Sequence, residues 1–399
     1  MKKIILYFLS LSFIFAYSNS VKARVYTGAE VFMAKYQNLV KGKRVGLITN
    51  QAGFNSKGRS TIDLLYDSPN VNLVVLFAFK NGIKDGLTAG KYVNGGHDAK
   101  TGLPIYSLYA GTDNKLPKAA LNKIDVLIYD VQNMGVQSYI EAYDVAKCLK
   151  SAAENGKTMI VFDRPNPGGT AVIDGPVNEN KNSIMTLYQM PNIYGMTVGE
   201  LAHYLNIEGE IKSKLYIVPM LNYRRSMSWK QTGLPWIGPH LNVSLPQYAC
   251  CFAITTAIGE LGLVNVGSGT NARFRVVSAL WLDLKYTVAA LNNYKLSGVK
   301  FIPAQVKGVN AVLINVTDSG TYKPFTTTIA ILCHLRNIYP DKFISALKSK
   351  KHIKAFTENV GTEKIIKYLK NGNTYPEIVN SWHDELKKFN AKRKKYLMY

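Results

Sequence analysis

Asn50 and Gln51 follow the short apolar run 44–49, and three further runs end on comparable side chains. Lys80 and Asn81 follow 71–79. Asp130, Gln132 and Asn133 follow 125–129, and Asp163, Arg164 and Asn166 follow 158–162. Side-chain amides both donate and accept hydrogen bonds, so this set suits the hydroxyl and acetamido groups of sugars. Asp130 and Asp163 are the carboxylates within it, and Lys80 and Arg164 the cations. Asn and Asp also favour turns and caps, which accounts for any one of these residues taken singly.

Other chemistries find little support. No Gly-x-Gly-x-x-Gly follows the first apolar run, since Gly46 lies inside it and Gly53 stands alone. There is no Walker-type Gly-Lys-Thr loop and no Gly-x-Ser-x-Gly elbow, and Gly267-Ser268-Gly269 is too short to be diagnostic. The 6 histidines are scattered without a His-x-x-x-His pair, and no Cys/His spacing suits zinc. No cofactor and no metal are expected.

The elements that must position these residues alternate. Strands are expected at 44–49, 71–79, 125–129 and 158–162, with helices at 61–66, 115–122 and 139–154. Continuous Val/Ile/Leu strands between helices imply a parallel sheet covered on both faces. In such sheets ligands bind beyond the carboxyl ends of the strands, where the amides and charges gather. After Asp163-Arg164-Pro165-Asn166-Pro167 the pattern changes. Thr197 caps a helix from Val198, with Glu200 in capping-box position. Beyond it come a strand at 215–219, a polar loop at 231–244, strands near 273–277 and 311–316, and helices at 326–338, 362–369 and 376–393. The expected architecture is α/β, a Rossmann-like doubly wound parallel sheet domain (24–190) followed by a smaller α+β domain (191–399).

Residues 1–23 read as a secretory signal peptide. Lys2 and Lys3 precede an almost wholly apolar stretch to Tyr17, and Val21-Lys22-Ala23 offers a cut before Arg24. No Cys stands at the cut, and no later stretch reaches about 18 uninterrupted apolar residues. The chain is therefore expected to be exported to the periplasm or the exterior, with no stable membrane anchor. Cys148, Cys250, Cys251 and Cys333 are too few for a disulfide scaffold in 399 residues and read as buried small hydrophobes, with one long-range bridge left open. The net charge of +23 points to an anionic counterpart. Residues 341–399 carry much of it, ending in Lys392-Arg393-Lys394-Lys395.

Longer stretches resemble one family, the NamZ-type exo-β-N-acetylmuramidases. The resemblance rests on Val45-Gly46-Leu47-Ile48-Thr49-Asn50-Gln51-Ala52-Gly53, Thr101-Gly102-Leu103-Pro104-Ile105-Tyr106-Ser107-Leu108-Tyr109 and Tyr129-Asp130-Val131-Gln132. It continues through Asp163-Arg164-Pro165-Asn166-Pro167, Gly195-Met196-Thr197-Val198-Gly199-Glu200-Leu201, Gly233-Leu234-Pro235-Trp236 and Arg393-Lys394-Lys395-Tyr396-Leu397-Met398-Tyr399. It implies a Rossmann-like domain and a smaller α+β domain with the cleft between them. The implied reaction releases N-acetylmuramic acid from the non-reducing end of peptidoglycan fragments. Export and family together favour a cell-wall counterpart over nucleic acid. Oligomeric state stays open.

The chain departs from the family where the chemistry would sit. The family's second strand usually ends Ser-Pro-Glu-His-Gly, with the Glu as favoured catalytic carboxylate, and here the stretch is Ala78-Phe79-Lys80-Asn81-Gly82. The usual Gln-Asp-Val-Gly-Ala-Arg is Gln132-Asn133-Met134-Gly135-Val136-Gln137. The usual His before Gly-Met-Thr is Tyr194, and an Arg often found in the Gly-rich loop is Ser268. A lysine is a poor substitute for a protonated carboxyl at a leaving oxygen. Besides a general polyanion-binding protein that uses the fold only as a scaffold for basic surface, two readings follow. One is an exo-muramidase with a rearranged acid, Asp130, Asp163 or Glu260. The other is a non-catalytic protein that binds muramyl sugars through Asn50, Gln51, Lys80, Asn81, Gln132, Asn133, Arg164, Asn166 and Asn242.

Overall fold

The run Arg-Val-Gly-Leu-Ile-Thr at 44–49 is buried at every position after Arg44, as a strand covered on both faces must be. In the computed structural model, which describes residues 24–79, 82–83, 96–109, 115–139, 141–179, 188–239 and 243–399, this run is β1 (Arg44–Thr49). With β2 (Asn72–Ala78), β3 (Ile105–Ser107), β4 (Val126–Asp130) and β5 (Thr158–Phe162) it forms most of a six-stranded sheet. An antiparallel pair follows, β6 (Asp174–Val177) and β7 (Pro191–Ile193), before β8 (Lys214–Val218) completes the sheet beside β5. The order is β3-β2-β1-β4-β5-β8, and every pairing is parallel. Strand order reverses between β1 and β4, where a doubly wound sheet opens a crevice at its carboxyl edge. The α/β expectation holds. The sheet does not stop at residue 190, however, since β8 lies beyond it.

Helices cover both faces. α1 (Gly28–Lys35) and α2 (Thr61–Tyr66) pack Phe32 and Leu65 against Leu47, Leu76 and Ile128. α3 (Lys118–Leu121), α4 (Glu141–Glu154) and α5 (Val198–Glu208) pack Leu121, Leu149 and Leu201 against the alternate residues, among them Ile48, Phe77 and Val161. That two-sided alternation is what makes β1, β4 and β5 continuously apolar. α5 starts at the capping box read from the sequence: the Thr197 hydroxyl accepts from the Glu200 amide and the Glu200 carboxylate accepts from the Thr197 amide.

The remaining chain passes through α6 (Trp229–Thr232) into a second core. It is built by α7 (Pro246–Glu260), β9 (Val276–Ser278), α8 (Leu284–Asn293), β10 (Val299–Val306), β11 (Val309–Val316) and α9 (Pro324–Ile338). α10 (Pro340–Ala346), α11 (Lys350–Val360), α12 (Lys364–Lys370), α13 (Tyr375–Asn380) and α14 (His383–Arg393) complete it. The three strands are antiparallel in the order β10-β11-β9, the expected α+β arrangement. The single helix expected at 376–393 is two. Trp382 is buried at the break with its ring 5.6 Å from Phe325, so the chain turns to seat it. The four cysteines are all buried and free. No helix among the described residues is long and apolar enough to cross a membrane.

α1 meets the sheet with no space to spare. The Gly28 amide donates to the Asp163 carbonyl at 2.9 Å, and a Cβ on Gly28 would lie 2.3 Å from the Asp163 nitrogen and 2.6 Å from the Val218 oxygen. Both neighbours are backbone and cannot rotate away. Gly28→Ala is expected to lower stability by about 1–3 kcal/mol, seen as an earlier midpoint in urea unfolding.

Candidate functional site

At the switch point the ends of β1 and β4 are stitched together by amides. Asn50 Nδ2 donates to the Gln132 carbonyl at 2.9 Å, and Asn50 Oδ1 accepts from the Ala52 amide at 3.3 Å. Gln132 Nε2 donates to the carbonyls of Pro165 at 2.9 Å and Asn133 at 3.1 Å. Its Oε1 is buried without a hydrogen-bond partner among the described residues. A buried acceptor of that kind calls for a donor from water or ligand. Gln132 lines a recess together with Thr27, Asn55, Arg164, Trp229, Leu234, Pro235 and Ile237. The recess has room for about one water molecule. That is too small for a sugar ring. Gln51 anchors the segment that follows Ile237, Nε2 donating to the Gly238 carbonyl at 2.7 Å.

Asp130 and Arg164 engage each other. Arg164 Nε and Nη2 donate to the two Asp130 oxygens at 2.5 and 2.7 Å, and Nη1 donates to the Phe54 carbonyl at 3.0 Å. The Thr61 hydroxyl also donates to Asp130. The side chains are 0% (Asp130) and 5% (Arg164) exposed, so both charges have left water for one another. Each is satisfied by the other, with Thr61 and Phe54 as further partners.

Asp163 is enclosed differently. It is 0% exposed and accepts four hydrogen bonds: from the Thr197 hydroxyl at 2.8 Å, the Gly199 amide at 2.8 Å, its neighbour's Arg164 amide at 2.9 Å and the Tyr399 hydroxyl at 2.7 Å. Burial pushes its carboxyl up to about 7, against the pull of the Tyr399, Gly199 and Thr197 donors. The chain's last residues thus close over the end of β5. Glu200, also 0% exposed, accepts from the Met398 amide at 2.8 Å and from the Arg225 guanidinium. Arg393 is buried with Nη1 on the Gly195 carbonyl at 2.9 Å, and desolvation lowers it to about 10.

This clasp gives a pH-dependent expectation. The Asp163 carboxyl titrates near 3.8 when unfolded and about 7 when folded, so its contribution to stability is full below about pH 4 and is lost as pH rises through 7. The Tyr399 hydroxyl opposes that loss by donating to the ionised form. Tyr399→Phe is therefore expected to cost about 1.5–3 kcal/mol near pH 8, where Asp163 is charged, and less near pH 5. Urea titrations at the two pH values read the difference.

The other strand-end residues separate into those holding loops and those placed elsewhere. Asn133 Oδ1 accepts from the Gly135 amide at 3.1 Å, and Asn166 bridges the Gly168 amide at 2.9 Å to the Met196 carbonyl at 3.0 Å. Gly135 has φ +74°, and a Cβ there would overlap the Asn166 amide. Glu260 does not join this edge. It is exposed at the far end of α7, ten residues from Cys250, whose thiol is 3.5 Å from the Pro167 carbonyl. Ten residues of helix span about 15 Å. Lys80, Asn81 and Asn242 lie outside the described residues, as does the segment 1–23.

A further polar cluster at this edge is not marked by the sequence. Beyond β3 the Tyr109 hydroxyl donates to Asp144 at 2.5 Å, and Lys147 Nζ donates to the Leu108 carbonyl at 2.6 Å and lies 4.5 Å from the Tyr109 ring centre. Burial lowers the Lys147 pKa. Asp144 and Lys147 sit inside the amphipathic pattern of α4, where nothing marks them as facing a strand end. No three His, Cys, Asp or Glu side chains among the described residues gather closely enough to hold a metal ion.

The family is decided by comparison with known proteins. The family model described as exo-beta-N-acetylmuramidase NamZ, N-terminal, matches residues 45–247, and its C-terminal counterpart matches 251–399. The chain belongs to the NamZ family. It is 33% identical over 388 residues to the peptidoglycan beta-N-acetylmuramidase NamZ of Bacillus subtilis (strain 168), covering 95% of this chain and 92% of that protein. A DUF1343 family protein from Bacteroides fragilis NCTC 9343, solved by crystallography, superposes with a TM-score of 0.86 at 32% identity, covering 94% of this chain and 99% of the other. A second DUF1343 family protein from the same organism shares the fold, with a TM-score of 0.65 at 23% identity.

Proposed function

We propose that the protein binds the muramyl end of peptidoglycan fragments at the carboxyl edge between β1 and β4, and releases N-acetylmuramic acid from them far more slowly than a family member carrying the Glu-His pair. One observation carries this reading. Among the described residues the carboxylates at that edge are already engaged, Asp130 with Arg164, Asp163 with four donors and Asp144 with the Tyr109 hydroxyl. Glycoside hydrolysis needs a protonated acid at the leaving oxygen and a second group that stabilises or attacks the sugar. Glu260, the third candidate, is exposed at the other end of α7. Amides and an unsatisfied Gln132 oxygen remain, which are groups for binding. The segment 1–23 supports export, so the protein works in the periplasm or outside the cell.

A second reading has its own support. A carboxyl near pKa 7 suits a general acid, and Asp163 has that value. Hydrolysis through Asp163 requires Tyr399 and Thr197 to vacate its oxygens. A chromogenic β-N-acetylmuramide separates the two readings. Binding of the muramide is expected from wild type and from Asp163→Ser alike, with little chromophore released by either. Robust release by wild type that disappears in Asp163→Ser would establish the second.

A further inference from the structure

α14 presents two unlike faces. Phe389, Arg393 and, just beyond the helix, Tyr396 are buried, with Phe389 and Tyr396 stacked edge-on against Tyr204 of α5 at 5.7 and 5.5 Å. The opposite face is exposed and carries Lys387, Lys388 and Lys392, continued by Lys394 and Lys395. Between 387 and 395 there is no Asp or Glu, and the stripe is about 12 Å long. Lys392 lies 3.4 Å from Glu208, whereas Lys387, Lys388, Lys394 and Lys395 have no ion-pair partner among the described residues.

Such spacing is unfavourable within the protein. Lys388 and Lys392 are four residues apart on one helix face, where like charges repel. The favourable field at a helix C-terminus offsets only part of this, and only for the last turn. The rings packed on Tyr204 hold the stripe in place, so a polyanion meets charges already arrayed. The exposed face of α14 also offers no large apolar side chain, which a helix lying in a bilayer surface would need.

We propose that this lysine face docks the protein onto intact peptidoglycan by its lactyl and peptide carboxylates, separately from the sugar-binding edge. The proposal rests on the peptidoglycan reading above and concerns the polymer, not the terminal sugar. Ionic attraction of exposed charges weakens with salt, since the screening length shrinks from about 10 Å at 0.1 M to about 3 Å at 1 M.

The test is pelleting of the mature protein with purified insoluble peptidoglycan. Four samples are compared: wild type; Lys387→Gln/Lys388→Gln/Lys394→Gln/Lys395→Gln; a control losing the same charge elsewhere, Lys342→Gln/Lys348→Gln/Lys350→Gln/Lys351→Gln; and wild type with peptidoglycan whose carboxylates have been amidated. Wild type and control are expected to pellet alike, with loss as NaCl rises from about 0.05 to about 0.5 M. The α14 variant, and wild type on amidated polymer, are expected to bind on the order of tenfold more weakly. Equal losses in the α14 variant and the control would overturn the proposal in favour of net charge alone. Undiminished pelleting on amidated polymer would overturn it too, as would tighter binding to vesicles containing an anionic phospholipid. Thermal unfolding of both variants guards against misfolding, and a misfolded α14 variant is replaced by Lys387→Gln/Lys388→Gln, expected to lose about half the effect on a logarithmic scale. Binding of a small muramyl sugar should be unchanged in the α14 variant, so failure of the docking proposal and failure of the sugar-site reading are read from different measurements.

Discussion

The Lys80→Glu/Asn81→His double variant is expected to release N-acetylmuramic acid from a chromogenic muramide about 10²–10⁴-fold faster than wild type. That range is what a general acid typically contributes, about 2.7–5.5 kcal/mol of barrier. The argument is one of charge and proton supply. A glycosidic oxygen leaves readily only when a proton arrives with it, and a lysine near its ordinary pKa of about 10.4 holds its proton as a cation unless strongly desolvated. The family resemblance implies a Glu at this position and a His beside it, within a match that runs from Val45 to Tyr399 and departs also at Asn133, Gln137, Tyr194 and Ser268. Comparison of initial rates at equal protein concentration checks it. An unchanged rate in a double variant with wild-type stability would move the deficit to Asn133 and Gln137, where the resemblance implies an Asp and an Arg.

The largest loss of stability is expected at Arg164. Arg164→Ala leaves the Asp130 carboxylate at 0% exposure without its bidentate partner, and breaking a buried pair in this way typically costs about 3–5 kcal/mol. Asp130→Ala should cost a similar amount by stranding the guanidinium. The double variant Asp130→Leu/Arg164→Met should recover much of the loss, because no buried charge remains. Recovery will be incomplete, since the Thr61 hydroxyl and Phe54 carbonyl lose their partners. Urea midpoints of the three variants give the coupling between the two sites.

Local pattern made part of this legible. β1, β5 and α2 lie where their apolar runs and flanking polar residues place them, and the Thr197–Glu200 capping box reads directly because both partners are three residues apart. α7 was hidden: its residues are buried on nearly every side, so Pro246–Glu260 lacks the polar face that marks a helix. The strand-end residues were recognisable as a set, but their roles were not. Asn50 and Gln132 read as ligand groups, and the structure shows them also tying β1 to β4. The four-donor enclosure of Asp163 depends on Tyr399, 236 residues away, and no spacing along the chain announces such a contact. Asp130 and Arg164, 34 residues apart, form their pair only because β4 and β5 lie side by side.

The central claim is binding at a muramyl end without efficient hydrolysis, and one titration reads both halves. The mature protein is titrated calorimetrically with a disaccharide bearing N-acetylmuramic acid at its non-reducing end, and the cell contents are then separated by chromatography. Saturable heat with the disaccharide recovered intact is the expected result. Free N-acetylmuramic acid formed at many turnovers per protein, or no heat at all, would contradict the account.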